Sequence, residues 1–283
     1  MIRSAVSKPA LRYYGGKFAS APNILRHLPP HYTYVEPFGG GMSVLLRKPP
    51  SPLDIYNDAD MRVVNFFKVL RERNDEFIHQ LRATPYSRSE LELAYSPDPE
   101  DELSDLESAR RFYIRAWQSY GAHQNTSTGW RFQHSPNAGK KVTDDWKFDH
   151  LLQVVERLRG VLLECGDYAR VLERYDTSRT LFYCDPPYPK ETRSKQHGAR
   201  GYRCEMSEDG HRELAEHLHK LKGMVVLSSY PSALYQELYE GWQCIRWTAQ
   251  TNSTANRTEC LWLSPNTVQA LGYKQLSLLG EER

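Results

Sequence analysis

The segment 183–190, YCDPPYPK, sets one carboxylate, two prolines and a phenol side by side at Asp185, Pro186, Pro187 and Tyr188. This set suits chemistry at an exocyclic amino group on a planar ring. The lone pair of that amine is delocalised into the ring, so the nitrogen is a poor nucleophile. The Asp185 carboxylate and the Pro186 carbonyl can each accept one of its two N–H hydrogens. Both then steady the positive charge that grows as the nitrogen attacks. The Tyr188 ring can stack on the base. The prolines fix these groups before substrate arrives, so little ordering entropy remains to be lost. The plainer alternative is a proline-rich loop that closes a strand.

These residues need a scaffold. Prolines cannot donate to a sheet ladder, so the apolar run 180–184 reads as a strand that stops at Asp185. In open α/β sheets, ligands sit at such strand ends. A second place of this kind lies near the N-terminus. A short apolar strand at 32–35 is followed by Gly39, Gly40 and Gly41, and then by a helical pattern through Met42, Leu45 and Leu46. Glycines let a backbone approach a ligand closely, and the helix start offers free N–H groups. Asp58 closes the next strand, 53–56, and stands 18 residues beyond Gly40. In nucleotide-type sites an acid at about that distance binds ribose hydroxyls. A glycine turn without any cofactor is the alternative. The G-x-G-x-x-G spacing of nicotinamide proteins and the P-loop pattern are both absent.

The opening is therefore β-α-β-α, with Asp60 as the N-cap of a helix through Val63, Val64, Phe67 and Leu70. From 63 to 150 the pattern is helical. The clearest helix is 103–120, with Leu103, Leu106, Ala109, Phe112, Tyr113, Ala116 and Tyr120 on one face. A polar, turn-rich stretch with Trp130, Arg131 and Phe132 then reads as a hairpin near 121–134. The α/β rhythm resumes with helix 151–159, strand 161–164, helix 168–175, strand 180–184, helix 211–221, strand 224–228 and helix 234–239. An antiparallel pair at 244–248 and 259–263 ends it. The fold class expected is α/β, one sheet domain made of 1–62 and 151–283, interrupted by a mostly helical insertion at 63–150.

Composition excludes some classes. The 283 residues are 40% hydrophobic and 25% charged, ordinary for a globular protein, and the net charge of +2 implies no partner by itself. No apolar run approaches the ~20 residues of a membrane helix, and the N-terminus lacks a secretory h-region. Five scattered cysteines form no C-x-x-C pair, so neither a disulfide framework nor a zinc site is expected, and a reducing cytoplasm fits. The stretch 190–203 carries Lys190, Arg193, Lys195, Arg200 and Arg203 against Glu191 alone. It reads as a loop that touches phosphates, or as a solvated loop.

PALRYYGGK, EPFGGG, YNDAD and CDPPY, in this order, resemble the Dam-type (class alpha) N6-adenine DNA methyltransferases. The resemblance covers nearly the whole chain. It implies a Rossmann-like methyltransferase sheet with an inserted, largely helical DNA-recognition domain, S-adenosyl-L-methionine as cofactor, and no metal. By position it implies cofactor contacts from Tyr14, Lys17, Glu36, Pro37, Phe38, Gly39, Gly40, Gly41, Asp58, Asp167, Tyr168 and Asp185. Asp185, Pro186, Pro187 and Tyr188 would grip an adenine flipped out of double-stranded DNA. Its N6 would attack the sulfonium methyl in line, with no covalent enzyme intermediate.

For DNA the expected contacts are Lys17, then Gln124, Asn125, Trp130 and Arg131 of the hairpin, then Lys195, Arg200 and Tyr202 of the basic stretch. Arg131 suits the O6/N7 edge of guanine. Three departures stand out. Met42 replaces the last glycine of the family's F-x-G-x-G, Tyr14 replaces a tryptophan, and 121–134 does not match the segment that reads GATC, so no target sequence is implied. The rival acceptor is cytosine N4, and the rival class is an inactive DNA-binding relative. A monomer in the cytoplasm of a bacterial or phage-infected cell is expected, with a cognate restriction endonuclease as an optional partner.

Overall fold

The computed structural model describes residues 6–96, 103–120, 128–132, 142–192, 203–250 and 256–279. Seven strands form one sheet: β1 Thr33–Glu36, β2 Leu53–Asp58, β3 Val161–Cys165, β4 Thr180–Cys184, β5 Met224–Ser229, β6 Gln243–Gln250 and β7 Asn256–Leu263. Their spatial order is β3-β2-β1-β4-β5-β7-β6, with β7 antiparallel to both neighbours and the other pairings parallel. The order reverses between β1 and β4, which makes the crevice above these two strands the switch point of the sheet.

Central parallel strands are covered on both faces, so they read as unbroken apolar runs. All five residues of β4 are buried. Leu181 and Tyr183 join one core, Phe182 and Cys184 the other. The second core packs Val35, Ile55, Phe182 and Leu227 against α8 (Tyr168–Tyr175), α9 (Glu208–Lys220) and α10 (Ala233–Leu238).

The first core packs Tyr34, Tyr56, Leu181 and Leu261 against α1 (Ala21–Leu25), α2 (Ser43–Arg47), α3 (Met61–Glu72), α4 (Asn74–Ala83), α6 (Asp105–Gln118) and α7 (His150–Leu158). A separate small cluster joins Leu91 and Ala94 of α5 (Arg88–Tyr95) to Ile114. The last helix, α11, spans Pro265–Leu279. No helix among the described residues is long and apolar enough to cross a membrane.

Helix α3 starts where its cap dictates. The Asp60 carboxylate accepts the Arg62 backbone N–H at 3.1 Å, satisfying one of the free donors of the first turn. The boundary expected at 62/63 falls inside this helix. Phe66 of α3 stacks on Tyr113 of α6 with ring centroids 6.0 Å apart, in the same core as β1, β2 and β4. Helices α3, α4 and α6 thus share the core of the sheet.

Helix α6 buries Leu106, Ala109, Phe112, Tyr113 and Ala116 as its periodicity requires, but Tyr120 is 42% exposed. The helix ends at Gln118, so Tyr120 has left its face. Beyond it the chain pairs antiparallel with 129–131, through Tyr120 N–H to Gly129 C=O and Arg131 N–H to Gln118 C=O. The interior of the expected hairpin, with Gln124 and Asn125, lies outside the described residues, as do Lys195, Arg200 and Tyr202.

Candidate active site

The carboxyl ends of β1, β2, β3 and β4 open into one cleft of about 240 Å³. Its lining includes Tyr14, Lys17, Glu36, Pro37, Phe38, Gly39, Gly40, Gly41, Asp58, Asp167, Tyr168, Asp185 and Pro187, the whole cofactor set expected from the sequence. Tyr13, Ser43, Asp60 and the 203–206 segment, none of which the sequence assigns to the cofactor, also line it. Pro186 and Tyr188 are not on this lining. Tyr188 is buried behind it, 3% exposed.

The glycine turn is held against β2. Gly39 N–H donates to the Asn57 carbonyl at 2.8 Å, and Gly40 N–H to Asp58 Oδ2 at 2.8 Å. The Tyr56 hydroxyl donates to the Gly40 carbonyl at 2.8 Å. A Cβ at position 39 would overlap the Tyr56 ring, which is fully buried, so only glycine fits. Gly40 has φ +46°, and Met42 also takes a left-handed backbone, φ 56° and ψ 35°, before α2 begins. The place where the resembling family writes glycine has a left-handed backbone in this chain, filled by a buried methionine.

Asp58 accepts two backbone N–H groups, from Gly40 and from Asp60, the latter at 2.8 Å. Burial pushes its carboxyl up to about 6, and these two bonds oppose the rise. Asn57 ties the walls of the cleft, donating to the Pro37 carbonyl at 2.9 Å and the Gly166 carbonyl at 3.1 Å. Phe38 and Tyr168 meet at the far end with ring centroids 5.0 Å apart. Asp167 caps α8 through the Ala169 N–H at 2.6 Å. Glu36 is buried and accepts from the Tyr34 hydroxyl at 2.7 Å. Burial raises its carboxyl to about 8.

At the end of β4, Lys17 reaches across. Its Nζ lies 3.1 Å from Asp185 Oδ1, 3.0 Å from the Gly15 carbonyl and 4.6 Å from the Tyr188 ring centroid. Lys17, the expected cofactor or DNA contact, pairs here with Asp185. Burial raises the Asp185 carboxyl, and Lys17 and the Tyr188 hydroxyl pull it back. Tyr188 packs edge-on to Tyr230 at 4.6 Å and donates to Glu259 Oε2 at 3.2 Å. Glu259 carried no motif, and in the sequence it was read only as the start of a strand.

The expected DNA contacts Trp130 and Arg131 stand apart from the cleft lining. Arg131 pairs with Asp145 at 2.7 Å. Trp130 stacks on Phe132 at 5.8 Å and lies under the Arg88 guanidinium.

This sheet order, with its glycine turn and its acid at the end of β2, defines a Rossmann-like methyltransferase. The family description "D12 class N6 adenine-specific DNA methyltransferase" matches residues 13–253, and the chain belongs to that family. It is an adenine-specific DNA methyltransferase. It is 25% identical over 233 residues to a DNA adenine methylase of Salmonella typhi, covering 81% of this chain and 83% of that protein. A DNA adenine methylase of Escherichia coli K12 is 24% identical over the same shares. One of Vibrio cholerae is 25% identical over 260 residues, 88% of each chain.

Proposed function

We propose that the chain takes its methyl group from S-adenosyl-L-methionine and places it on the N6 amino group of an adenine flipped out of double-stranded DNA at a specific short sequence. The observation that supports this most is the common cleft: Asp185, at the end of β4, opens onto the same space as the glycine turn and Asp58.

The cleft fits the cofactor. The turn at 39–41 admits close backbone approach, Asp58 offers acceptor oxygens for ribose hydroxyls, and Phe38 and Tyr168 provide apolar walls for an adenine ring. Asp167, next to Tyr168, flanks that ring, and Tyr14 lines the cleft elsewhere along the cofactor. Bound there, the cofactor supplies an electrophilic methyl on a sulfonium.

The chain's own residues do the rest. Asp185 and the Pro186 carbonyl accept the two N–H hydrogens of the target amine and stabilise the charge it acquires. The Tyr188 ring, buried under the Lys17 ammonium in this structure, becomes a stacking platform once that ammonium gives way to the base. The amine replaces the Lys17 ammonium as donor to Asp185, and the spare proton leaves to water. Flipping is required because N6 cannot be reached inside the stack. Region 63–150 is the proposed recognition part, with Trp130 and Arg131 near bases and the basic 190–203 stretch on phosphates.

Long-read detection of modified adenines in DNA from a methylation-free strain expressing this chain tests the proposal. N6-methyladenine confined to one short motif is expected. Unmodified adenines, with label from the methyl donor found in RNA or protein instead, would refute it.

A further inference from the structure

β7 enters the sheet at the end where the parallel strands leave it, because it runs antiparallel to β5. Its early residues therefore lie toward the end of the sheet at which the cleft opens. Cys260 and Trp262 turn to one core, Leu261 and Leu263 to the other. Glu259, only 7% exposed, lies beside the Tyr188 hydroxyl, 3.2 Å from its Oε2. That hydroxyl also touches Asp185. A phenol has one proton to give, and here two carboxylates stand ready to take it.

We propose that Glu259 is a positioning residue: it draws the single hydroxyl proton of Tyr188 away from Asp185, so that the Asp185 oxygens remain acceptors for the target amine. This rests on the reading of Asp185 given above.

Two further observations agree. Burying a carboxylate is costly, and Asp185 raises the cost for Glu259 while Lys17, the Tyr188 hydroxyl and Arg257 lower it. An acid kept in such a place does what an apolar side chain would not. The ring itself is already steadied by Tyr230, whose hydroxyl accepts from Arg257 Nη1 at 3.3 Å. Glu259 is thus not needed merely to wall the tyrosine in. What it adds is a second acceptor for the Tyr188 hydroxyl, besides Asp185. A tyrosine that donated to Asp185 would occupy a lone pair the reaction uses.

The test is a set of single-turnover methyl transfers with the full chain, labelled S-adenosyl-L-methionine and genomic DNA from a strain lacking adenine methylation. Glu259→Ala should slow transfer about tenfold, the scale of one charge-assisted hydrogen bond, with cofactor affinity unchanged by calorimetry. Glu259→Gln keeps an acceptor and should retain most of the rate. The deciding variant is Glu259→Ala with Tyr188→Phe. With no hydroxyl proton to misdirect, it should be no slower than Tyr188→Phe alone. If Glu259→Ala costs the same factor in both backgrounds, or nothing in the first, the proposal is overturned. Glu259→Met fills the same volume without accepting, and gives the same comparison should the alanine variant not fold. A wild-type chain that labels no DNA would sink the functional reading, and this proposal with it. An active wild type beside an unaffected Glu259→Ala would sink only the role of Glu259.

Discussion

Replacing Lys17 with methionine keeps the stem of the side chain and removes its charge from Asp185. At 3.1 Å and an effective dielectric of about 20, the lost attraction is about 5 kcal/mol. Part of that was offset by desolvating both groups, with the two side chains only 6% and 19% exposed. Opposite charges at this range move a carboxyl by about one to three pH units. The direction follows from the causes acting on Asp185: burial raises it, and Lys17 opposes the rise. Glu36, Tyr183 and Glu259 also face this group, and none of them supplies a positive charge to replace the lysine.

Without Lys17, Asp185 therefore stays protonated to higher pH, and a protonated carboxyl has lost acceptor capacity toward the amine. The acid limb of the single-turnover rate should move up by at least one pH unit in Lys17→Met. Stability follows the same sign. A carboxyl raised in the folded state contributes most below its unfolded pKa and loses that contribution as pH rises through the folded value. The variant should melt closest to wild type in acid and fall behind as pH rises. An acid limb that stays in place, or moves down, would refute the view that Lys17 keeps Asp185 ionised.

Gly39→Ala should abolish cofactor binding and lower stability by about 1–3 kcal/mol, since the new methyl meets a buried ring anchored to the Gly40 carbonyl; calorimetry and thermal melts read both, and intact affinity would count against the tight turn. Met42→Gly relieves a left-handed backbone worth about 1–2 kcal/mol, but empties a fully buried site worth about 2–5 kcal/mol. A net loss is expected by denaturant titration, and a stabilised variant would show that the backbone term dominates. Glu36 is raised from an ordinary 4.5 to about 8, so its contribution to stability is complete below about pH 4.5 and disappears as pH passes through 8. Glu36→Gln does not titrate, and it should gain on wild type by up to about 5 kcal/mol between pH 4.5 and 8.5. Melting curves with a constant gap across that range would exclude the burial argument.

The sheet was largely legible because β4 is buried along its whole length and β1, β2 and β5 carry apolar residues ahead of turn signals. β4 closes at the prolines, and β2 at the Asp58 that greets the glycine turn. The capping acid Asp60 marked the start of α3 for the same local reason.

What escaped was set by contacts distant in sequence. Glu259 sits 71 residues from the tyrosine it touches, and nothing around it signals more than a strand. Lys17 was placed in the cleft by its motif, but its pairing with Asp185 depends on how the N-terminal segment crosses β4. Tyr120 continued the apolar period of α6, yet the helix had already ended at Gln118, and periodicity carries no information about where a chain turns away. The expected boundary at 62/63 falls inside α3, which packs at once against the sheet and against α6.

That double allegiance limits how target preference can be re-engineered. Phe66, Phe77 and Tyr113 interlock with one another and sit in one core with Tyr34 and Leu181. Transplanting the whole helical region from a relative would unseat the floor of the catalytic cleft along with the borrowed specificity. Productive chimeras should be grafted after Ser119 and before Trp146, because Trp146, Phe148 and α7 pack into that core again.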